Sequence, residues 1–328
     1  MSSTNGTQPV MPNNIIQASH SELVLFLVLN MWPSHIGLPF LLAIVVFSKR
    51  VQRHATFINL LVVFMIVGIS SSILAYAGKT TGPEPSKLLC LFQASLLYGM
   101  PAITSLAAFF LVFQMFIVIR SAFYGRVYME RDHNMRRWLM ICTPYVAWMV
   151  SMLVTAVVGA ARPQYISRNR RFFYCSVKND SLTNVIVIVA AAIILATLVL
   201  EVWTVVLFYK RWLSSQKGNH HMLSTLELNL PIRILSFGLY LAIALSMSLL
   251  SISSPQSPIP DLIIASAATV VILIFGTQPD ILGVLCFWKT QAPQPPPKDE
   301  AISVRPSLEE KGHQSLHPGP AMNVQYEP

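Results

Sequence analysis

A chain of 328 residues that is 54% hydrophobic and only 11% charged falls well below the roughly 25% charged content of a soluble globular domain. Its net charge of +9 comes from Lys and Arg in short segments between long apolar runs, a placement that orients membrane proteins. These features exclude a soluble enzyme and argue against a nucleic-acid partner.

Seven apolar runs follow in chain order, at residues 23–48, 55–77, 90–119, 138–160, 183–209, 234–252 and 262–288. Each is about 20 residues or longer, and about 20 helical residues cross a hydrocarbon core roughly 30 Å thick. No Lys or Arg falls within any of them. The expected fold is an all-α membrane protein, a seven-transmembrane helix bundle over 23–288. A polar N-terminal tail, 1–22, has no cleavable signal pattern, so span one is expected to act as its own insertion signal. From Thr290 the composition turns to Pro293, Pro295, Pro296 and Pro297 and then to polar residues, which predicts a disordered proline-rich tail over 289–328. No internal repeat is visible, contrary to transporters built from duplicated halves.

Orientation follows from charge and sequons. Lys49, Arg50 and Arg53 follow span one directly and no basic residue precedes it, which predicts the N-terminus outside and the C-terminus inside. The loop with Arg162, Arg168, Arg170, Arg171 and Lys178 runs against that bias. The two glycosylation sequons, at Asn5 and Asn179, both fall outside in this orientation. So do Cys90, at the start of span three, and Cys175, in the following outer loop, an oxidising location in which a bridge is expected. Two unrelated buried thiols are the other reading. Cys142 reads as packing, and Cys286 either as a palmitoylation site or as a small apolar residue at a helix end.

Seven spans, an outer N-terminus with a sequon and the Cys90 and Cys175 positions together resemble the G-protein-coupled receptor superfamily over residues 23–289. The segments Trp32 to Pro39, Cys90 to Gly99 and Phe275 to Leu282 look more narrowly like an orphan fungal, basidiomycete-type family of receptor-like seven-span proteins. The resemblance implies a plasma-membrane receptor for an unknown external ligand, with a heterotrimeric G protein as inner partner. The chain departs from familiar receptor patterns. Val118-Ile119-Arg120 has no acidic neighbour, span two has no Asp, span six has no Cys-Trp-x-Pro, and Gln278-Pro279-Asp280 keeps only the proline of Asn-Pro-x-x-Tyr.

Ionisable groups inside a membrane are costly and are functional candidates by default. Glu201 in span five, Arg233 at the start of span six, and Asp280 in span seven with Arg120 below span three offer two charge locks, Glu201 to Arg233 and Asp280 to Arg120. Carboxylates near water and arginines snorkelling to headgroups are the competing readings. Pro279, after the weak helix former Gly276-Thr277-Gln278, is the expected hinge. A ligand pocket between the outer halves of the helices would draw on His35, Gln93, Tyr98, Trp148, Tyr240 and Ser246, each of which can equally be a packing residue.

No catalytic constellation is expected, and no metal or cofactor. His35 is the only histidine in a span, and Lys289 lies beyond span seven, so a retinal Schiff base has no lysine. A small-solute transporter or channel, and a noncatalytic scaffold whose prolines recruit partners, remain the rival readings. Arg126, Arg131, Arg136 and Arg137 would also hold anionic lipid, and Ser303, Ser307 and Ser315 are candidate phosphorylation sites.

Overall fold

The computed structural model describes residues 19–48, 53–124, 130–168, 173–217, 236–244, 246 and 258–285. Asn5, Arg126, Arg170, Arg171, Arg233, Cys286 and the expected tail lie outside the described residues.

Among the described residues the apolar runs are helical apart from short breaks, as at Ser72, Ser266 and Thr277–Gln278. Helix α1, His20–Trp32, opens with a capping box in which Ser19 and Glu22 satisfy each other's backbone N–H groups. A π-helical turn, Pro33–Gly37, joins it to α2, Leu38–Phe47. Helix α3, Ala55–Ser71, breaks at Ser72 before the short α4, Ile73–Tyr76. Helices α5 (Lys87–Tyr124), α6 (Glu130–Ala161) and α7 (Asp180–Lys217) run without interruption, α5 and α6 passing through Pro101 and Pro144. Residues 236–244 form α8, and α9 (Ile259–Ala265), α10 (Ala267–Gly276) and α11 (Pro279–Leu285) follow.

Among the described residues, five helices are long and apolar enough to cross a membrane: His20–Phe47, Lys87–Ser121, Asn134–Ala161, Asp180–Lys210 and Ile259–Gly276. Helix α3 is equally apolar but shorter. The outward faces of α6 and α7 are covered by nothing in the chain: Val146, Val150, Leu153 and Val157, then Val185, Ile188, Val199 and Val202, are all exposed. Apolar surface this extensive does not persist in water, and the protein is embedded in a membrane.

Helix α5 is the axis of the bundle and packs against α3, α6 and α7. The main core gathers Leu38, Leu60, Val63, Ile103, Phe237, Val271 and Ile281 from six different helices. Two of the glycines sit where a side chain would collide with a neighbouring helix. A Cβ on Gly68 would fall 2.6 Å from Ser34 Oγ and 2.7 Å from Asn30 O, and one on Gly99 would strike the indole of Trp148.

One end of the bundle is closed by the segment between α6 and α7. Its strands β1 (Ile166–Ser167) and β2 (Ser176–Val177) pair antiparallel, Ile166 opposite Val177. The Cys90–Cys175 disulfide fastens β2 to the start of α5. Beside it, the Cys175 N–H donates to buried Gln93 Oε1 at 3.2 Å, while Gln93 Nε2 donates to Ser71 O at 3.4 Å. Phe173 stacks on Phe26 with centroids 4.5 Å apart, and Tyr174 donates to Asp261 Oδ1 at 3.0 Å. The segment thereby grips α1, α5 and α9 at once.

Charge sign alone puts Arg168 in solvent or against an anionic ligand, but its side chain is only 1% exposed. Its guanidinium donates to Lys79 O and, at 2.7 Å, to Gly82 O, tying the hairpin to the preceding loop. Burial lowers its pKa, and Glu84 acts in the opposite direction. An ammonium cannot reproduce the guanidinium fork. Arg168→Lys is therefore expected to cost about 2 kcal/mol, read as a lower melting temperature of the purified protein with the disulfide intact.

Candidate functional site

The end of the bundle remote from the disulfide is hollow. A cavity of about 220 Å³ lies among α3, α5, α8 and α10, walled by Phe57, Leu111, Met115, Val118, Phe237 and Phe275. These residues recur at helical spacing on inward faces, and the rings of Phe57 and Phe237 both lean on Phe275, at 4.9 and 5.8 Å. A polar link spans it. Arg53, just before α3, donates through Nη2 to Gln278 Oε1, between α10 and α11. Gln278 is fixed for this by its own backbone: its N–H reaches Phe275 O at 3.3 Å, the carbonyl that Pro279 cannot serve, and its carbonyl accepts from Leu282 at 2.8 Å.

The switch and coupling candidates lie near this end. Pro279 begins α11 after a break at Thr277 and Gln278, where weak helix was expected. Asp280 is in the same helix, but its side chain is outside the described set. Arg120 is exposed on α5, two residues past the cavity wall at Val118. Glu201 is only 3% exposed. Its carboxylate presses on Gly238 of α8 so closely that a Cβ there would overlap it. Among the described residues Oε1 has no hydrogen-bond partner.

The six ligand-pocket candidates are not brought together. His35 accepts or donates to Tyr76 OH at 2.7 Å and Met31 O at 2.9 Å. Gln93 holds Cys175. Tyr98 donates to Val177 O at 2.9 Å, and Trp148 Nε1 to Leu96 O at 3.3 Å. Tyr240 donates to Ile263 O at 2.8 Å, and Ser246 back to Ala242 O at 2.9 Å. Each polar group is spent on a structural bond. Asn179 caps α7, its Oδ1 accepting from the Leu182 N–H at 3.1 Å, and Cys142 is a free, exposed thiol.

Sequence reasoning missed Arg53 and Gln278 as a pair. The available signals were a basic residue directly ahead of an apolar run and an amide directly ahead of Pro279. Among the described residues no group of His, Cys, Asp and Glu is placed to hold a metal. No protein-family model and no curated protein matches this chain, so its chemistry has to be argued from geometry.

The Glu201 and Gly238 contact makes a two-residue prediction. Gly238→Ala is expected to destabilise the protein by about 1–3 kcal/mol through overpacking. Adding Glu201→Ala should recover most of that loss. Thermal melts of the two single variants and the double variant measure the coupling, and additive losses would show that the two positions do not touch.

Proposed function

We propose that the chain is a plasma-membrane seven-span receptor that takes a ligand at the disulfide-bonded end and signals to a heterotrimeric G protein at the other. The observation that carries this reading is the asymmetry of the bundle. One end carries a cross-linked hairpin, and the other holds an apolar cavity bridged by the Arg53 to Gln278 bond.

In this reading the crossings are the five long helices, α3 with α4, and the apolar run 234–252, of which α8 is the described part. The disulfide needs an oxidising compartment and so favours that end outside, in agreement with the sequon at Asn179 and with Arg53 near the opposite end. The receptor reading rests on the sequence resemblance to the G-protein-coupled receptor superfamily and, more narrowly, to an orphan fungal, basidiomycete-type family.

In this reading the structure is the resting state. A cavity of about 220 Å³ lies below the roughly 300–1,000 Å³ of ordinary ligand sites and admits no helix from a partner until it widens. Widening separates α3 from α10 and breaks the Arg53 to Gln278 bond. Pro279 is the hinge, and a Glu201 to Arg233 lock would hold α7 to α8. A ligand acts by shifting the hairpin, whose Phe173 and Tyr174 anchor α1 and α9.

The transporter reading draws on the breaks at Ser72, Ser266 and Thr277. Transporter sites collect freed carbonyls around a midplane cavity. Here the break at Ser266 is closed locally, its N–H donating to Leu262 O at 3.0 Å and Ile263 O at 3.1 Å, which favours the receptor.

Guanine-nucleotide exchange on purified G-protein α subunits tests the proposal. Gln278→Ala, which removes the link, is expected to raise basal exchange several-fold. Val118→Asp, which puts a charge in the apolar wall, should cut exchange by about 30-fold, as loss of a binding hot spot does. No exchange with any α subunit for wild type and Gln278→Ala alike would overturn the receptor reading.

A further inference from the structure

A second cavity, of about 130 Å³, opens at the same end of the bundle and is built from different chemistry. One ordered water needs only roughly 10–15 Å³, so this space suits a larger group. Its polar lining comes from three elements: Arg53, His54 and Thr56 around the start of α3, Gln114 of α5, and Arg136 and Arg137 of α6. No carboxylate is among the lining residues.

We propose that this cavity binds the phosphomonoester headgroup of an anionic membrane lipid. Three observations converge on it. First, Arg53, Arg136 and Arg137 all line one space, Arg53 while also donating through Nη2 to Gln278, and planar N–H forks are matched to phosphate oxygens. Second, the N-terminus of the 17-residue α3 opens there with no side-chain cap, and uncapped N–H groups with a partial positive charge favour an anion. Third, Thr56 is only 4% exposed and its Oγ1 has no hydrogen-bond partner among the described residues. A buried hydroxyl lining a cationic cavity is a donor awaiting an acceptor. Gln114, 6% exposed, adds an amide on the α5 side.

The depth of the cavity identifies the phosphate as a lipid's. Arg137 is followed by Trp138, 67% exposed, and Leu139, 64% exposed. An outward tryptophan beside basic residues marks the boundary between headgroups and acyl chains. A lipid whose phosphate enters the cavity can therefore lay its chains along Leu139. A terminal monoester carries up to two negative charges toward the arginines, whereas a choline headgroup would bring a cation to them. The site needs neither an external ligand nor a G protein, so receptor activity and lipid binding fail or succeed separately.

The test uses the full-length protein in a neutral detergent, with melting temperature as readout. Dioctanoyl phosphatidic acid is expected to raise it saturably, and dioctanoyl phosphatidylcholine is not. Arg136→Gln should weaken the effect by about tenfold, as loss of a charge-assisted bond does. Thr56→Val should weaken it similarly while raising the melting temperature of the lipid-free protein, because it removes a buried hydroxyl that lacks a partner. A purely structural Thr56 would lose stability instead. Glycerol 3-phosphate stabilising as well as the lipid would keep the phosphate site but assign it to a soluble ester, and its failure supports the lipid. The proposal is overturned if phosphatidic acid has no effect, if phosphatidylcholine matches it, or if neither substitution changes the response. It is equally overturned if a phosphoserine peptide around Ser307 binds where the lipid does not.

Discussion

Hydrocarbon offers no hydrogen bonds, and this one constraint organises the polar chemistry of the chain. Most hydroxyls inside the helices satisfy themselves. Thr104, Thr143, Thr155, Thr197, Thr204 and Thr277 each donate to the carbonyl four residues earlier. The polar groups left to reach between helices are correspondingly few, and they act as register marks. Tyr145 to Asn59 at 2.7 Å fixes α6 on α3, Trp148 fixes α6 on α5, and Tyr240 fixes α8 on the junction of α9 and α10. Apolar packing alone is weakly directional among helices that lipid solvates equally well, so these bonds decide which faces meet.

The same constraint makes the two ends unlike. At the disulfide end the backbone of a long connection is brought under cover, and each exposed edge finds a partner: β1 on β2, Cys175 N–H on Gln93, Lys79 O and Gly82 O on Arg168. Lys87 adds a bond to Ile166 O at 2.9 Å. That end is a cross-linked cap. At the opposite end the cavity walls are aromatic and aliphatic and the arginines stand at the rim.

How much of this was legible in the sequence differs by scale. Helices α5, α6 and α7 contain the runs at 90–119, 138–160 and 183–209, because long apolar stretches leave the backbone no alternative to helix. The break at Ser72 was not legible, since the run to Ala77 stays apolar. It arises where Ser72 Oγ turns back to Gly68 O at 2.8 Å and the Ser72 N–H is divided among three carbonyls. The bridge of Cys90 with Cys175 followed from compartment. The roles of Gln93, Arg168 and Arg53 did not, because residue type and charge sign say nothing about which carbonyl a helix rotation brings within reach. The ligand-pocket candidates show the same limit. Aromatic and polar residues in the outer halves were identifiable, but their partners were not.

Glu201 is where stability and movement meet. A carboxylate packed on the backbone of Gly238 has exchanged water for a helix surface, and that exchange is unfavourable unless something else is gained. The gain lies one residue away, where Phe237 is 1% exposed in the main core against Phe275. The packing of α8 on α7 buries Phe237 and dehydrates Glu201 together, so two large terms of opposite sign are tied to one helix position. Gly238 is required at the contact because a Cβ there would overlap the carboxylate.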